Sequence, residues 1–478
     1  MPICELEDVS MDMHSGIREL AQRMELEPRL APYRELAWDE GSRDWPVLHL
    51  EDLSGMPFMT RIPGVEKYQH RARVRARTGD FVAATTAVTP GYEEYCRERL
   101  GLGAPEFVMA EPVGHPLAVA RACQQGAAFH RLTAVARAAG GLTVHPYMGI
   151  EDAWSLARKI ADASKVPVRV LAPPPPVTWL ANDKALFSEL VASVLGEKFL
   201  VETYRARDAE TLATKLLALA RRHERVGLKR TRSASSMGNE VHTTAAVRAS
   251  GPAAARALVD AFLKRTEWQG DEDILVVAWL ETDVAPSAQL WIPPISSGPP
   301  RLKGIYEQIL TGPAKVFVGS RPSTLPARVN EVFGRACLRL GAALQSLGYV
   351  GCCSFDALVL GDCHGDFDVR INECNGRWGG TSTPMFLVDR LCGAPRPAYV
   401  AMDHIDPEIA GTPFPVVLSR VGEHLYDPSA CTGRYIFYNA GPLEDKGKLD
   451  VIALGATPDD AQRALADVGP LLRASSRG

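Results

Sequence analysis

Apolar positions along this chain change period several times, and each change marks an element. Residues 81–86, 106–110, 142–146 and 166–171 are short apolar runs. Between the last two, Trp154, Leu156, Ala157 and Ile160 fall at helical spacing. Short strands alternating with helices predict an open α/β sheet. Upstream, residues 17–21 begin a helix-like stretch and 46–50 look like a strand. The stiff run Pro173-Pro174-Pro175-Pro176 is expected to stop regular structure near a domain boundary.

Beyond it, Leu186, Phe187, Leu190, Val191, Val194 and Leu195 share one helix face, with Asn182 or Asp183 as its cap. A second helix starts near Asp208, and residues 226–231 and 274–280 read as strands around a helix at 253–264. Residues 231–240 are small and polar, and 296–304, with two prolines and two glycines, read as a loop. A long helix is predicted over 326–347, closed by Gly348. Residues 352–360 and 367–375 are extended around the six-residue turn 361–366. Thr457 caps the last helix, with Pro458 at its first position. The fold class expected is α/β, in part α+β.

Composition narrows the function classes. The 478 residues allow two to four structural units, and 46% hydrophobic with 23% charged content is ordinary for a globular protein. A net charge of -4 gives no footprint for nucleic acid. Neither a membrane-spanning stretch nor an apolar leader is expected, so the chain reads as cytoplasmic. Ten scattered cysteines without a CxxC pair point to reduced thiols. Only 12 of the 53 basic residues are lysine, which gives each lysine some weight as a compact charge.

The richest segment runs from Arg370 to Thr381. Glu373 and Asn375 lie two apart, hence on one face of a strand. Side-by-side oxygen ligands suit Mg²⁺, which takes carboxylates with phosphate and water. If Leu360 pairs with Phe367, Asp356 falls opposite Ile371 and diagonal to Glu373, within reach of one or two such ions. A solvated sheet edge is the other reading of Asp356. Arg377 continues the spacing and is the candidate for stabilising a transferring phosphoryl group. Gly379, Gly380 and Thr381 allow close backbone approach to a substrate.

Lys229 ends an apolar strand, and the loop behind it carries Ser233, Ser235, Ser236 and Gly238. Such a loop can fold over phosphates beside a lysine, or be a plain serine loop in solvent. The Walker A spacing is absent. Lys184 opens its helix, and Arg301 and Lys303, in the loop before the long helix, are candidates for a substrate carboxylate.

The ordered set Asp183-Lys184, Gly227-Leu228-Lys229, Ala278-Trp279-Leu280-Glu281, Asp356 and Glu373-Cys374-Asn375-Gly376-Arg377 resembles the ATP-grasp superfamily over about residues 180–405. More narrowly the chain looks like the pheganomycin-type peptide ligases. Ile62-Pro63-Gly64-Val65-Glu66-Lys67-Tyr68, residues 142–156, Ser236-Met237-Gly238-Asn239 and Asn375 to Thr381 carry that likeness. The resemblance implies a pre-ATP-grasp domain (1–178), two ATP-grasp lobes (179–275 and 276–405) and a C-terminal cap (406–478). It implies ATP, with Lys184 and Lys229 on its phosphates and the loop through Asn239 over them. Ala278, Trp279 and Leu280 would offer backbone to adenine, and Glu281 would meet the ribose. Asp356, Glu373 and Asn375 would bind Mg²⁺, two ions being expected and Mn²⁺ able to substitute. The implied activity joins a carboxylate to an amine through an acyl phosphate, in specialised metabolism. Its partners would be small-molecule acids and amines or peptides, with a homodimer left open. Loading of a carrier-protein thiol and non-catalytic nucleotide binding are the rivals.

Overall fold

The computed structural model describes residues 10–233, 237–249, 251–312 and 315–474. Its strands form three sheets. The first contains β1 (Val47–Leu50), β2 (Phe81–Ala84), β3 (Glu106–Met109), β4 (Leu142–Pro146) and β5 (Val168–Val170), in the order β3-β2-β1-β4-β5. Every pairing is parallel. β2 and β4 are buried at every residue, as expected of a parallel sheet covered on both faces. The helices Gly126–Ala139 and Glu151–Ser164 pack beside it, with Leu132, Trp154 and Ile160 in the core.

The second sheet is antiparallel: β6 (Thr203–Ala206), β7 (Arg225–Arg230), β8 (Asn239–Thr243) and β9 (Ile274–Ala278), ordered β6-β9-β7-β8. Helices Ala209–Ala220 and Gly251–Arg265 bury Leu212, Leu216, Val259 and Phe262 against it.

The third sheet has eight strands. They are β10 (Pro286–Ile292), β11 (Arg301–Thr311), β12 (Val316–Pro322), β13 (Gly351–Gly361), β14 (Phe367–Asn375), β15 (Ala398–Ile405), β16 (Tyr435–Asn439) and β17 (Lys448–Gly455). Their order is β14-β13-β10-β11-β12-β15-β17-β16. The long helix Ala327–Ser346 lays Val329, Phe333, Ala336, Leu340 and Leu344 into the core beneath, and Gly348 takes φ 93° just beyond it. No helix among the described residues is long and apolar enough to cross a membrane.

Several expectations change. The proline run does not end regular structure: the helix Pro175–Asn182 begins inside it, because proline at the first helical positions needs no N–H partner. Residues 301–304 are not loop but the start of β11, paired with β10. β9 stops at Ala278, two residues short of the predicted end. In the hairpin Gly361 pairs with Phe367, and a bulge between Asp356 and Ala357 sets Asp356 directly opposite Glu373 rather than diagonal to it.

Candidate active site

One large cavity, about 680 Å³, opens between the second and third sheets, with Tyr68, Arg71 and Tyr147 from the N-terminal part of the chain on its wall. Asp183 is the N-cap of the helix Lys184–Leu195, accepting from the N–H groups of Ala185 and Leu186. The cap fixes Lys184 at the helix start, where its backbone N–H donates to Thr231 O at 3.0 Å. From there Lys184 Nζ reaches Glu373 Oε2 at 3.2 Å and Ser233 O at 3.0 Å. Lys229, near the end of β7, enters from the other side. Its Nζ donates to Asn372 Oδ1 at 3.2 Å and lies 5.0 Å from the Trp279 ring centroid. Burial pushes its pKa down to about 8, the Glu373 charge only partly offsetting this and Lys184 adding to it.

Asp356 is held from behind: Ser287 Oγ donates to Oδ1 at 2.6 Å and Asn375 Nδ2 to Oδ2 at 3.0 Å. Gln289 Nε2 in turn donates to Ser287 Oγ at 2.9 Å. Desolvation, with the Glu373 charge opposite, raises the Asp356 carboxyl to about 7. Burial also works against ionised Glu373, but Lys184 and Lys229 outweigh it and hold its pKa below the usual value. Two facing carboxylates and an amide, in a cleft lined by lysines, form a hard oxygen donor set. They fit a cation that takes one or two carboxylates and completes its shell with phosphate and water.

β14 ends at Asn375, so the strand does not carry Arg377 into the cleft as its spacing suggests. Gly376 is instead clamped by Asn182, whose Oδ1 accepts from Gly376 N at 3.1 Å and whose Nδ2 donates to Gly376 O at 3.3 Å. A Cβ at 376 would lie 2.8 Å from Ala181 Cβ, so glycine is required there. Trp378 N then donates to Tyr147 O at 3.0 Å, and its indole to His145 Nε2 at 3.1 Å. Arg377 between these clamps lines the cavity, 5.9 Å from the Tyr147 ring centroid.

The cavity gathers Lys184, Lys229, Asn239, Ala278, Trp279, Leu280, Asp356, Glu373, Asn375, Arg377, Gly379, Gly380 and Thr381. Asn239 is the first residue of β8, and its buried Oδ1 has no hydrogen-bond partner among the described residues. Gly238 approaches Ser233 closely but is not part of the lining. Ser235 and Ser236 fall outside the described residues. Glu281 does not line the cavity; it is exposed and paired with Arg225 at 2.7 Å. Arg301 and Lys303 are exposed on β11, away from the lining. Sequence reasoning missed Ser287, Gln289 and Asn372, and the far wall built by Tyr68, Arg71 and Lys448.

Residues 69–161 match the family model of the pre ATP-grasp domain. This chain has the ATP-grasp fold. Solved structures agree on that architecture along almost the whole chain. N5-carboxyaminoimidazole ribonucleotide synthetase from Thermus thermophilus superposes with a TM-score of 0.51 at 14% identity, over 91% of this chain and 99% of that one. The carboxyaminoimidazole ribonucleotide synthase of Aspergillus clavatus, complexed with ATP, gives 0.52 at 9%, over 90% and 98%. Biotin carboxylase from Campylobacter jejuni gives 0.52 at 11%, over 91% and 95%. No curated protein matches the sequence. In the ATP-grasp fold of this chain, β7 to β9 and β10 to β14 supply the two faces of the cleft, and His145 of β4 with Tyr147 just beyond it holds Trp378, the residue after Arg377.

Proposed function

We propose that the protein is an ATP-dependent carboxylate–amine ligase. One observation carries the reading: Lys184 and Lys229 converge beside Glu373, with Asp356 facing it and Arg377 in the same cavity. Two buried ammonium groups next to a hard oxygen pair are suited to a polyphosphate and its divalent cation. The lowered pKa of Lys229, caused first by burial, fits a site where a bound anion would favour the charged lysine. Crystallisation of a fold neighbour with ATP supports the same nucleotide here.

In the proposed reaction a substrate carboxylate oxygen attacks the γ-phosphorus of ATP and ADP leaves. The amine nitrogen then attacks the acyl carbon, the C–N bond forms, the bond to phosphate breaks, and the nitrogen loses a proton. Lys184 and Lys229 would neutralise phosphate charge, and Arg377 would bind the oxygens of the transferring group. Mg²⁺ held by Asp356, Glu373 and Asn375 would supply further charge neutralisation at the phosphates. An amino acid or modified amino acid joined to a second amino acid or a peptide is the substrate class favoured.

ADP release with panels of carboxylates and amines, with mass spectrometry of the product, tests this. An amide formed with one ADP per bond is the expected result. Acyl transfer only to a carrier-protein thiol would replace the amine by a thiol acceptor. Nucleotide binding without any substrate-dependent ADP release would refute catalysis.

A further inference from the structure

The wall of the cavity beyond Arg377 is an alternating stack of cations and tyrosine rings. Arg377 lies 5.9 Å from the Tyr147 centroid, and Arg71 lies 6.0 Å from the same ring. Arg71 is 4.5 Å from the Tyr68 centroid, and Lys448 Nζ is 4.6 Å from that ring. All five residues line the cavity.

The inner cations are already neutralised. Arg71 donates to Glu51 Oε1 at 2.7 Å. Lys448 Nζ donates to Asp450 Oδ1 at 2.6 Å and meets Asp403 Oδ2 at 3.0 Å. The two ends differ. Neither Arg377 nor Lys446, which also lines the cavity, has an ion-pair partner among the described residues. Lys446 is exposed and ends the one-turn helix Leu443–Lys446 just before β17. Its stem packs near the Gly64 turn, where a Cβ would lie 3.5 Å from Lys446 Cγ. Gly64 has φ 76°, and Gly441 has no room for a side chain, since a Cβ would fall 2.4 Å from Lys67 Cβ. These two glycines bring the segment at 62–68 and the turn at 441–446 together, and Lys446 stands where they meet.

We propose that this wall is a subsite for a substrate carboxylate that is not consumed in the reaction. The reacting end of the substrate lies at Arg377, its body runs along the cavity wall past Tyr147 and Tyr68, and the spectator carboxylate pairs with Lys446. A monoanion fits better than a phosphate, because the Asp403 carboxylate near that end repels a second negative charge. The assignment of the reacting end rests on the ligase reading above; the pairing at Lys446 does not. The spectator group can be the free carboxylate of an amino-acid or peptide acceptor, or a second carboxylate on the donor acid.

The test is calorimetric binding to the full chain with Mg²⁺ and a non-hydrolysable ATP analogue, so it needs no turnover. One arm compares free amino acids and leucyl-leucine with their C-terminal amides. The other compares N-acetylglutamate with N-acetylglutamine. The free carboxylate is expected to improve affinity about tenfold in one arm, which names its source. Lys446→Glu should remove that preference and Lys446→Arg should keep it. Equal binding of acid and amide in both arms, no binding in either, or a preference that survives Lys446→Glu overturns the proposal. Failure of the ligase reading would show instead as missing ADP release.

Discussion

Lys229 and Lys448 are almost equally buried, 9% and 6% exposed, yet their surroundings treat the charge in opposite ways. Lys229 meets one amide oxygen and a tryptophan face, and desolvation wins, leaving its pKa at about 8. Burial also disfavours charged Lys448, but Asp450 and Asp403 more than offset it and raise its pKa above the ordinary value. The difference separates a site awaiting an anion from one already complete. At the end proposed for the nucleotide, Lys229 has no ion-pair partner among the described residues, as the proposed phosphate contact would require. At the far end the fold neutralises its cations internally and leaves only the last charge open.

The largest effect expected is at Glu373. Glu373→Gln keeps the shape but loses the charge that sits beside Lys184 and is proposed to hold a hard cation. Mg²⁺-dependent turnover should fall roughly a thousandfold, several kcal/mol of charge stabilisation being at stake. Steady-state rates across a Mg²⁺ titration check this, and near-normal activity would take Glu373 out of the site.

The two lysines themselves give the next test. Lys448→Met strands Asp450 and Asp403 without their cation, and should destabilise the ligand-free protein by roughly 3–5 kcal/mol. Lys229→Met removes a charge that burial already disfavours, so ligand-free stability should stay close to wild type. ATP affinity of that variant should drop about tenfold or more. Denaturant unfolding and calorimetry on both variants would erase the contrast if the two lost equal stability.

Arg377→Ala should lower kcat by about 10²–10³ with ATP affinity nearly intact, as for loss of a preorganised donor. Arg377→Lys should rescue only part, since the fork is gone. Single-turnover kinetics separate the chemical step; unchanged rates in both variants would reduce Arg377 to scaffold.

The smallest effect per residue is on acid stability at and around the first sheet. Burial pushes His49 and His70 down to about 4, and His145 lies well below its usual value from burial and the charges of Arg75 and His49. The unfolded chain therefore binds more protons below about pH 6.5. Their stabilisation is fully present above that pH and is lost as pH falls towards 4. Each histidine contributes a slope of at most about 1.4 kcal/mol per pH unit. Unfolding measured between pH 7.5 and 5.5 should show this decline, and a flat profile would mean that these rings accept protons without cost.

Much of this was legible because it is local. Thr457 caps its helix as read from sequence, Asp183 is the one of two candidate caps that does so, a helix starts beside Asp208, and β14 spans the residues predicted for it. The hairpin register was not legible, because the extra residue of the bulge, Asn372, has no glycine beside it and sits inside an otherwise regular strand pattern. Ser287 and Gln289 left a trace: two polar residues alternate with Ala288, Leu290 and Ile292, and both are buried. The far wall had none, since Tyr68 and Arg71 lie on a 3₁₀ stretch, Val65–Arg75, without apolar periodicity, and meet Lys448 only through the tertiary fold.

The third sheet carries a consequence for shuffling and truncation. β15 lies between β12 and β17, and all eight of its residues are in register with β17. Cutting the chain after residue 405 would therefore not release a detachable module. It would bare one side of β15 along its length, an open template for another chain. The same cut would remove Lys446 and Lys448, so a transplanted C-terminal segment would bring its own end to the cavity. Chimeras joined there should exchange the far end of the cavity while keeping the end that holds Lys184 and Lys229, and their solubility will depend on how well the foreign strand matches the register of β15.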